Sequence, residues 1–402
     1  VIKGMLTHRE PDSNKARVLI VGAGLGGLTT AIALLQSGFQ VRVYEQAPEL
    51  KEMGAGLTLA TTAMRVFDAL GLWPKMAATA TRGVSVAFVH YRTGELLHGA
   101  HDYEWSRHPD SPEQSAHAHR AAVHSVLVDA VRELDPEALV LGHRLAAVEQ
   151  TSAGVRAVFE SGATASGDLL IGADGVQSAV YRSAFGRDNP ATFTGVMAIR
   201  CLMPRDERIE PLLTGGRAVN YVGHGRGFHR YGIDDGRILN CVALAQTETW
   251  TEEGWTHPCG RDEFMDLYQD FHPDVLGLIA HAPQTSTFKW ALRARAPLPA
   301  WSLGRVALLG DAAHPMLPYL GQGATAAIED ALVLARALDA HPDHARAFAA
   351  YEADRLPRAT EQMRLSEQQG DALNKGPERY RAERPDQAAL SRYDAREAEI
   401  KA

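Results

Sequence analysis

Arg17-Val18-Leu19-Ile20-Val21-Gly22-Ala23-Gly24-Leu25-Gly26-Gly27-Leu28 is the stretch that decides the fold. Its first five residues form an apolar, β-branched run of the kind buried on both faces of a parallel sheet. A glycine-rich turn follows at once, and a helix is expected from about Leu28 to Gln36, ended by Gly38. Val41-Arg42-Val43-Tyr44 then reads as a second strand closing on Glu45. No residue from Val18 to Val41 is charged, which could suggest a membrane span. The clustered glycines, and Gln36, Ser37, Gly38 and Gln40 at the far end, fit strand, turn and helix better, so the unit is a complete βαβ.

The turn carries chemistry. Only glycine lets the backbone turn tightly at Gly22, approach a pyrophosphate at Gly24 and pack helix on strand at Gly27, and Leu25 is counted with them as a cofactor-binding residue. Glu45 stands 23 residues past Gly22, where a carboxylate accepts both hydroxyls of an adenosine ribose. An acidic residue there disfavours a 2′-phosphate and points to NAD or FAD.

Composition sets the bounds. The 402 residues suggest two or three domains, and 45% hydrophobic with 22% charged residues excludes wholesale disorder. A net charge of −8 leaves no electrostatic footprint for nucleic acid or an anionic membrane. Three scattered cysteines, Cys201, Cys241 and Cys259, make neither a disulfide framework nor a CxxC metal site, so a cytoplasmic location is expected. Val1 to Lys15 lacks the apolar core of a signal peptide.

Further along, Leu57 to Leu72 reads as helical, and Gly83 to Leu97 as a hairpin turning at Thr93-Gly94. Residues 98–119 read as a polar loop. His98, His101, His108, His117, His119 and the following His124 raise the idea of a metal site, but no H-x3-H pair sits on a helix face, so no metal is expected. A helix from about Ala121 to Leu134, a hairpin near Gly154 and a buried strand at Leu169–Gly172 follow. Alternating strands with Gly and Asp turns fill 190–290, then a strand at Arg305–Leu309 and a helix from Gly323 to Leu338. The charged tail, read as broken by Pro357 and Pro377, is expected on the surface. The fold class is therefore α/β, a Rossmann-like dinucleotide-binding domain (15–82, 119–189 and 291–340) with an inserted sheet-rich substrate domain (83–118 and 190–290) and a C-terminal helical region (341–402).

Two more motifs choose between NAD and FAD. Asp168-Leu169-Leu170-Ile171-Gly172-Ala173-Asp174-Gly175 and Gly304-Arg305-Val306-Ala307-Leu308-Leu309-Gly310-Asp311-Ala312-Ala313-His314-Pro315 each end a buried strand in an acidic turn. With Gly22-x-Gly24-x-x-Gly27, these closely resemble the three fingerprints of the class A flavoprotein aromatic hydroxylases. The segments Pro318-Tyr319-Leu320-Gly321-Gln322-Gly323-Ala324 and Ala327-Ile328-Glu329-Asp330-Ala331 are similar to salicylate hydroxylase-like members, including the 3-hydroxybenzoate and 6-hydroxynicotinate monooxygenases. The resemblance implies FAD held with the help of Asp174, Asp311 and the amides of Gly321, Gln322, Gly323 and Ala324, and Arg120 near it. A helix N-terminus at that loop would stabilise the charge of reduced flavin. His314 is a structural turn residue in the family motif.

The implied activity is hydroxylation of an activated, carboxylated aromatic or heteroaromatic ring: NADH or NADPH reduces the flavin, O2 adds at C4a, and the hydroperoxide delivers oxygen. Alternatives are an FAD monooxygenase for a bulkier polycyclic compound and a non-catalytic flavin-binding sensor. The sequence leaves the oligomeric state open, a homodimer among the options.

The substrate side is read from Phe228–Ile233 and Arg237–Val242 flanking Asp234-Asp235-Gly236, a hairpin signal. Pairing Ile233 with Arg237 would put His229, Tyr231, Leu239 and Cys241 on one face and Arg230 and Asn240 on the other. His229 and Tyr231 are the candidate bases for a phenolic proton, against the plain reading of half-buried sheet residues. Relatives often carry His and Tyr four apart here, but Gly227 stands four before Tyr231. Tyr221, His224, Cys241, Pro318 and Tyr319 complete the candidate pocket.

Overall fold

The structure, a computed structural model, describes residues 12–50, 55–82, 86–99, 114–186, 189–251, 254 and 256–401. The βαβ unit lies in a six-stranded sheet of order β19 (Ser302–Leu303), β20 (Val306–Leu308), β12 (Leu169–Gly172), β1 (Arg17–Val21), β2 (Gln40–Tyr44) and β8 (Leu139–Val140). All neighbours are parallel except β19 against β20. The three motifs thus leave adjacent strands at one sheet edge, because each runs from its strand straight into a turn. Helix α1 (Leu25–Gln36) begins within the glycine turn rather than at Leu28, and packs on α4 (Arg120–Leu134) and α8 (Gly323–Ala340).

A second, eight-stranded sheet runs β17 (His257–Pro258), β18 (Thr287–Ala294), β13 (Thr192–Pro204), β16 (Ile238–Gln246), β15 (Arg226–Ile233), β14 (Ala218–Val222), β5 (Val86–His90) and β6 (Leu96–His98). It is antiparallel except where β5 joins β14. One face carries Ile199, Cys201, Tyr221, Phe228 and Cys241 and packs on α6 (Arg261–Tyr268) and α7 (Pro273–His281). The other face roofs the site. A hairpin sheet of β9 (Leu145–Gln150), β10 (Val155–Phe159) and β11 (Thr164–Gly167) lies apart.

Three expectations are corrected. Gly56–Leu59 is a strand, β3, not the start of a helix; α2 spans Thr61–Ala69 and α3 Trp73–Thr79. The supposed loop at Ala116–His119 is strand β7, paired with β3 on one side and β4 (Ala80–Arg82) on the other. Full burial of the small Ala116 and Ala118 lets the three strands pack closely, yet alanine gives almost no hydrophobic signal. His101 and His108 lie outside the described residues. Finally, α9 (His344–Asn374) continues through Pro357, and only then gives way to α10 (Pro377–Glu383). Its inner face buries Ala347, Phe348, Tyr351 and Ala359, and Arg355 lies fully buried at 2.8 Å from both Glu329 and Asp330. That packing outweighs the roughly 3 kcal/mol an interior proline costs a helix, so the tail is a wall of the molecule.

Candidate active site

A cavity of about 630 Å³ lies between the turns at the strand ends and the free face of the large sheet. On the first side the three glycines differ. At Gly22, with φ +103°, an added Cβ would come 2.4 Å from the Ala173 carbonyl oxygen, and at Gly27 one would come 2.0 Å from the Gly22 oxygen. At Gly24, which lines the cavity, an added Cβ would meet nothing within 4 Å. No side chain caps α1, whose first amides therefore open onto this cradle, a fit for a pyrophosphate. Glu45 accepts the N–H groups of Ala23 and Ala47, each at 2.9 Å, which fixes its carboxylate beside the turn.

Leu25, Arg120, Asp311, Gly321, Gly323 and Ala324 also line the cavity. Asp311 is exposed to it from the turn Gly310–Ala312, and Gly321, at φ +63°, turns the chain into α8. Behind that turn, Asp330 accepts the Gly310 N–H at 3.0 Å, lies 2.5 Å from His314 Nε2 and takes Arg355 Nε at 2.8 Å. His314 is thus bound into the scaffold. Two expected cofactor residues turn their side chains elsewhere, although for Gln322 the expectation concerns its backbone amide. Gln322 accepts from Gln362 at 3.3 Å, and Asp174 takes Ser178 Oγ at 2.5 Å and the Val180 N–H at 3.0 Å at the head of α5 (Ala179–Phe185). Burial raises the Asp174 pKa against those hydrogen bonds; its neighbours Ala173 and Gly175 form the cavity wall.

On the sheet side, Ile233 pairs with Ile238, not Arg237, so His229 faces Val242, Tyr231 faces Asn240, and Arg230 faces Cys241. The chain crosses at Asp234, Asp235 and Gly236, all with positive φ, and the extra loop residue shifts β16 by one. A one-residue slip turns a strand over. His229 and Tyr231 therefore line the cavity with Val242 and Leu244, while Cys241 lies opposite Cys201 in the core on the far face. Tyr221 is buried in that same core, 3.4 Å from Asp274 Oδ2. His224 is outside the cavity, bridged to Lys375 and 3.5 Å from Glu378. Pro318 and Tyr319 do line it, and the Tyr319 ring lies against Gly370 of α9.

His117 of β7 is a cavity residue that motif reading misses. Its ring centroid is 4.0 Å from that of Tyr231, and the His229 centroid is 5.1 Å from the same phenol. The period-two pattern Ala116-His117-Ala118-His119 is the signal that marks it. Burial, reinforced by His229, pushes the His117 pKa down to about 3; burial, reinforced by Arg230, pushes His229 down to about 4. Both are neutral at pH 7, and among the described residues neither Nδ1 has a hydrogen-bond partner. Burial raises the Tyr231 pKa against the pull of Arg200, so the phenol stays protonated. Arg200, Asn220, Trp290, Gln369, Leu373 and Asn374 complete this half. Among the described residues, no group of three His, Cys, Asp or Glu side chains could hold a metal ion, and no helix is long and apolar enough to cross a membrane.

Comparison with known proteins agrees with this geometry. The family described as FAD binding domain matches residues 15–366. The chain is 34% identical to 6-hydroxynicotinate 3-monooxygenase of Pseudomonas fluorescens, covering 88% of this chain and 91% of that one. It is 32% identical to 3-hydroxybenzoate 6-hydroxylase of Polaromonas naphthalenivorans, over 88% of this chain and 87% of that one. The crystal structure of Klebsiella pneumoniae HpxO with FAD and uric acid superposes with a TM-score of 0.78 at 27% identity, over 89% and 88% of the two chains. With an open glycine cradle and an acidic turn beside a helix N-terminus on one cavity, and the Glu45 carboxylate held by the Ala23 amide of the cradle, the chain belongs to the FAD-binding-domain family and is a flavin monooxygenase of the aromatic hydroxylase type.

Proposed function

We propose that the chain hydroxylates a small carboxylated aromatic or heteroaromatic ring bearing a hydroxyl group, with NADH or NADPH as electron donor and O2 as oxygen source. The observation that carries this reading is the pairing of His229 and Tyr231, ring centroids 5.1 Å apart, on the sheet side of a cavity that Asp311 and the Pro318-Tyr319 turn also line. The named activities of relatives on hydroxynicotinate and hydroxybenzoate support it.

Bound FAD supplies the redox chemistry that joins one oxygen atom of O2 to the ring. The chain supplies the rest. Gly24 and the first amides of α1 hold the pyrophosphate, Glu45 the ribose, and Asp311 with the Gly321–Ala324 backbone the flavin half. Tyr231, a protonated phenol, donates a hydrogen bond to the ring oxygen. His229, neutral down to about 4, accepts the ring hydroxyl proton and so raises the ring's nucleophilicity. Pro318, Tyr319 and the α9 residues Leu373 and Asn374 exclude water.

The test is a panel of hydroxylated aromatic acids screened for faster NAD(P)H oxidation, with product identified by mass. His229→Ala and Tyr231→Phe are expected to retain FAD while hydroxylation slows by roughly 10²–10⁴-fold, the usual range for a lost general acid or base, and peroxide replaces product. Wild-type coupled turnover in both variants would remove the pair from catalysis.

A further inference from the structure

Arg200 belongs to none of the motifs, yet it stands at the centre of the cavity roof. Its place on β13, opposite Val242 of β16 and Phe288 of β18, brings its side chain up on the same face as His229 and Tyr231. The side chain is half-buried. Among the described residues no carboxylate pairs with it; its cation contact is the Trp290 ring, whose centroid is 5.2 Å from the guanidinium carbon.

Other buried arginines are compensated. Arg355 meets Glu329 and Asp330, Arg230 donates to the Thr214 and Gly216 carbonyls, and Arg295 to those of Asp311 and Ala312. A guanidinium partly withdrawn from water without acceptors is costly, so such a site favours an anion. Asp311 is the one carboxylate among the described lining residues, and it sits in the cofactor turn. The substrate half is therefore electropositive.

We propose that Arg200 is the specificity-determining residue that takes the substrate's carboxylate, with Trp290 holding the guanidinium. The pairing is bidentate, as the planar fork of arginine allows. It leaves the ring hydroxyl to His229 and Tyr231, so one substrate spans both groups. This proposal rests on the hydroxylase reading of the cavity.

The test is calorimetric titration of the FAD-loaded protein with hydroxylated benzoates and nicotinates and with their uncharged carboxamides. Wild type is expected to bind the carboxylates about 10- to 100-fold more tightly, the worth of a charge-assisted hydrogen bond. Arg200→Gln should abolish that preference while leaving carboxamide affinity and FAD content unchanged, and Arg200→Lys should restore part of it. A preference that survives in Arg200→Gln, or an equal loss for acids and amides, would overturn the assignment. Wild-type protein that hydroxylates phenols and their acids alike would overturn it while sparing the hydroxylase reading. Wild-type protein that binds no ring and couples no NAD(P)H oxidation to one would sink both.

Discussion

Gly24 and Gly27 make opposite demands on a side chain although they stand in one turn. An added methyl at Gly24 points into open cavity, while one at Gly27 collides with the Gly22 oxygen at 2.0 Å. Gly24→Ala should therefore keep its melting temperature and lose FAD affinity by about tenfold or more, the scale of lost phosphate hydrogen bonds. Gly27→Ala should lose about 1–3 kcal/mol of stability, as overpacking does. Comparing thermal unfolding of the apoproteins with FAD titration separates the two, and equal melting losses would contradict the reading of the cradle. Cys241 gives a second contrast. Because it sits opposite Cys201 on the far face, Cys241→Ala should cost on the order of 1 kcal/mol and leave KM unchanged; a raised KM at full stability would return it to the pocket. Tyr231 and His229 were legible from alternation alone, since they share a strand. Cys241 was not, because its face depends on how many residues the hairpin loop holds. His117 escaped for another reason: its strand is flanked by alanines and lies next to a histidine-rich run, which together read as loop.

At the scale of elements, the buried cluster of His314, Asp330, Arg355 and Glu329 ties α8 and α9 to the turn that presents Asp311. Burial alone would raise the Asp330 pKa, but the His314 and Arg355 charges outweigh it and hold the carboxyl at about 2. Asp330→Asn should destabilise the fold by about 3–5 kcal/mol, the range for breaking a buried pair. It should also weaken FAD binding, because the amide keeps one acceptor oxygen where the carboxylate offers two, and the Gly310 N–H and Arg355 Nε then compete for it; denaturant unfolding and FAD titration check each part, and intact FAD affinity would show the turn to be held by other contacts. The same cluster explains why Pro357 was a poor guide. A proline signals a break only when nothing else holds the helix, and two arginine pairs flank it here, the Arg355 pair fully buried and the Arg358 pair partly so. Strand β1, α1 and β2 were legible because hydrophobic run, glycine turn and acidic terminus agree within one short segment. Strands β3 and β7 are short and stabilised by each other, a relation between residues far apart in the chain.

For the molecule as a whole, two buried neutral imidazoles impose a pH dependence. The folded pKa values, about 3 for His117 and about 4 for His229, lie below the ordinary 6.5. The unfolded chain thus binds protons that the folded one refuses, so stability is full above 6.5 and falls as pH drops through 4 toward 3. Melting temperature should decline over that window, and less steeply in His117→Gln; a flat wild-type profile would mean the imidazoles are not buried as neutral groups. The cavity exists because the two sheets meet over it, one presenting backbone turns for a cofactor and the other an aromatic and cationic face. That meeting is what the proposed transfer of an oxygen atom to a ring held on the sheet face relies on. FAD-loaded protein supplied with NAD(P)H, a hydroxylated aromatic acid and oxygen-18 gas tests it most directly. One heavy oxygen atom is expected in the ring product; NAD(P)H oxidation that yields only peroxide, with every aromatic acid returned unlabelled, would contradict the proposed oxygen transfer.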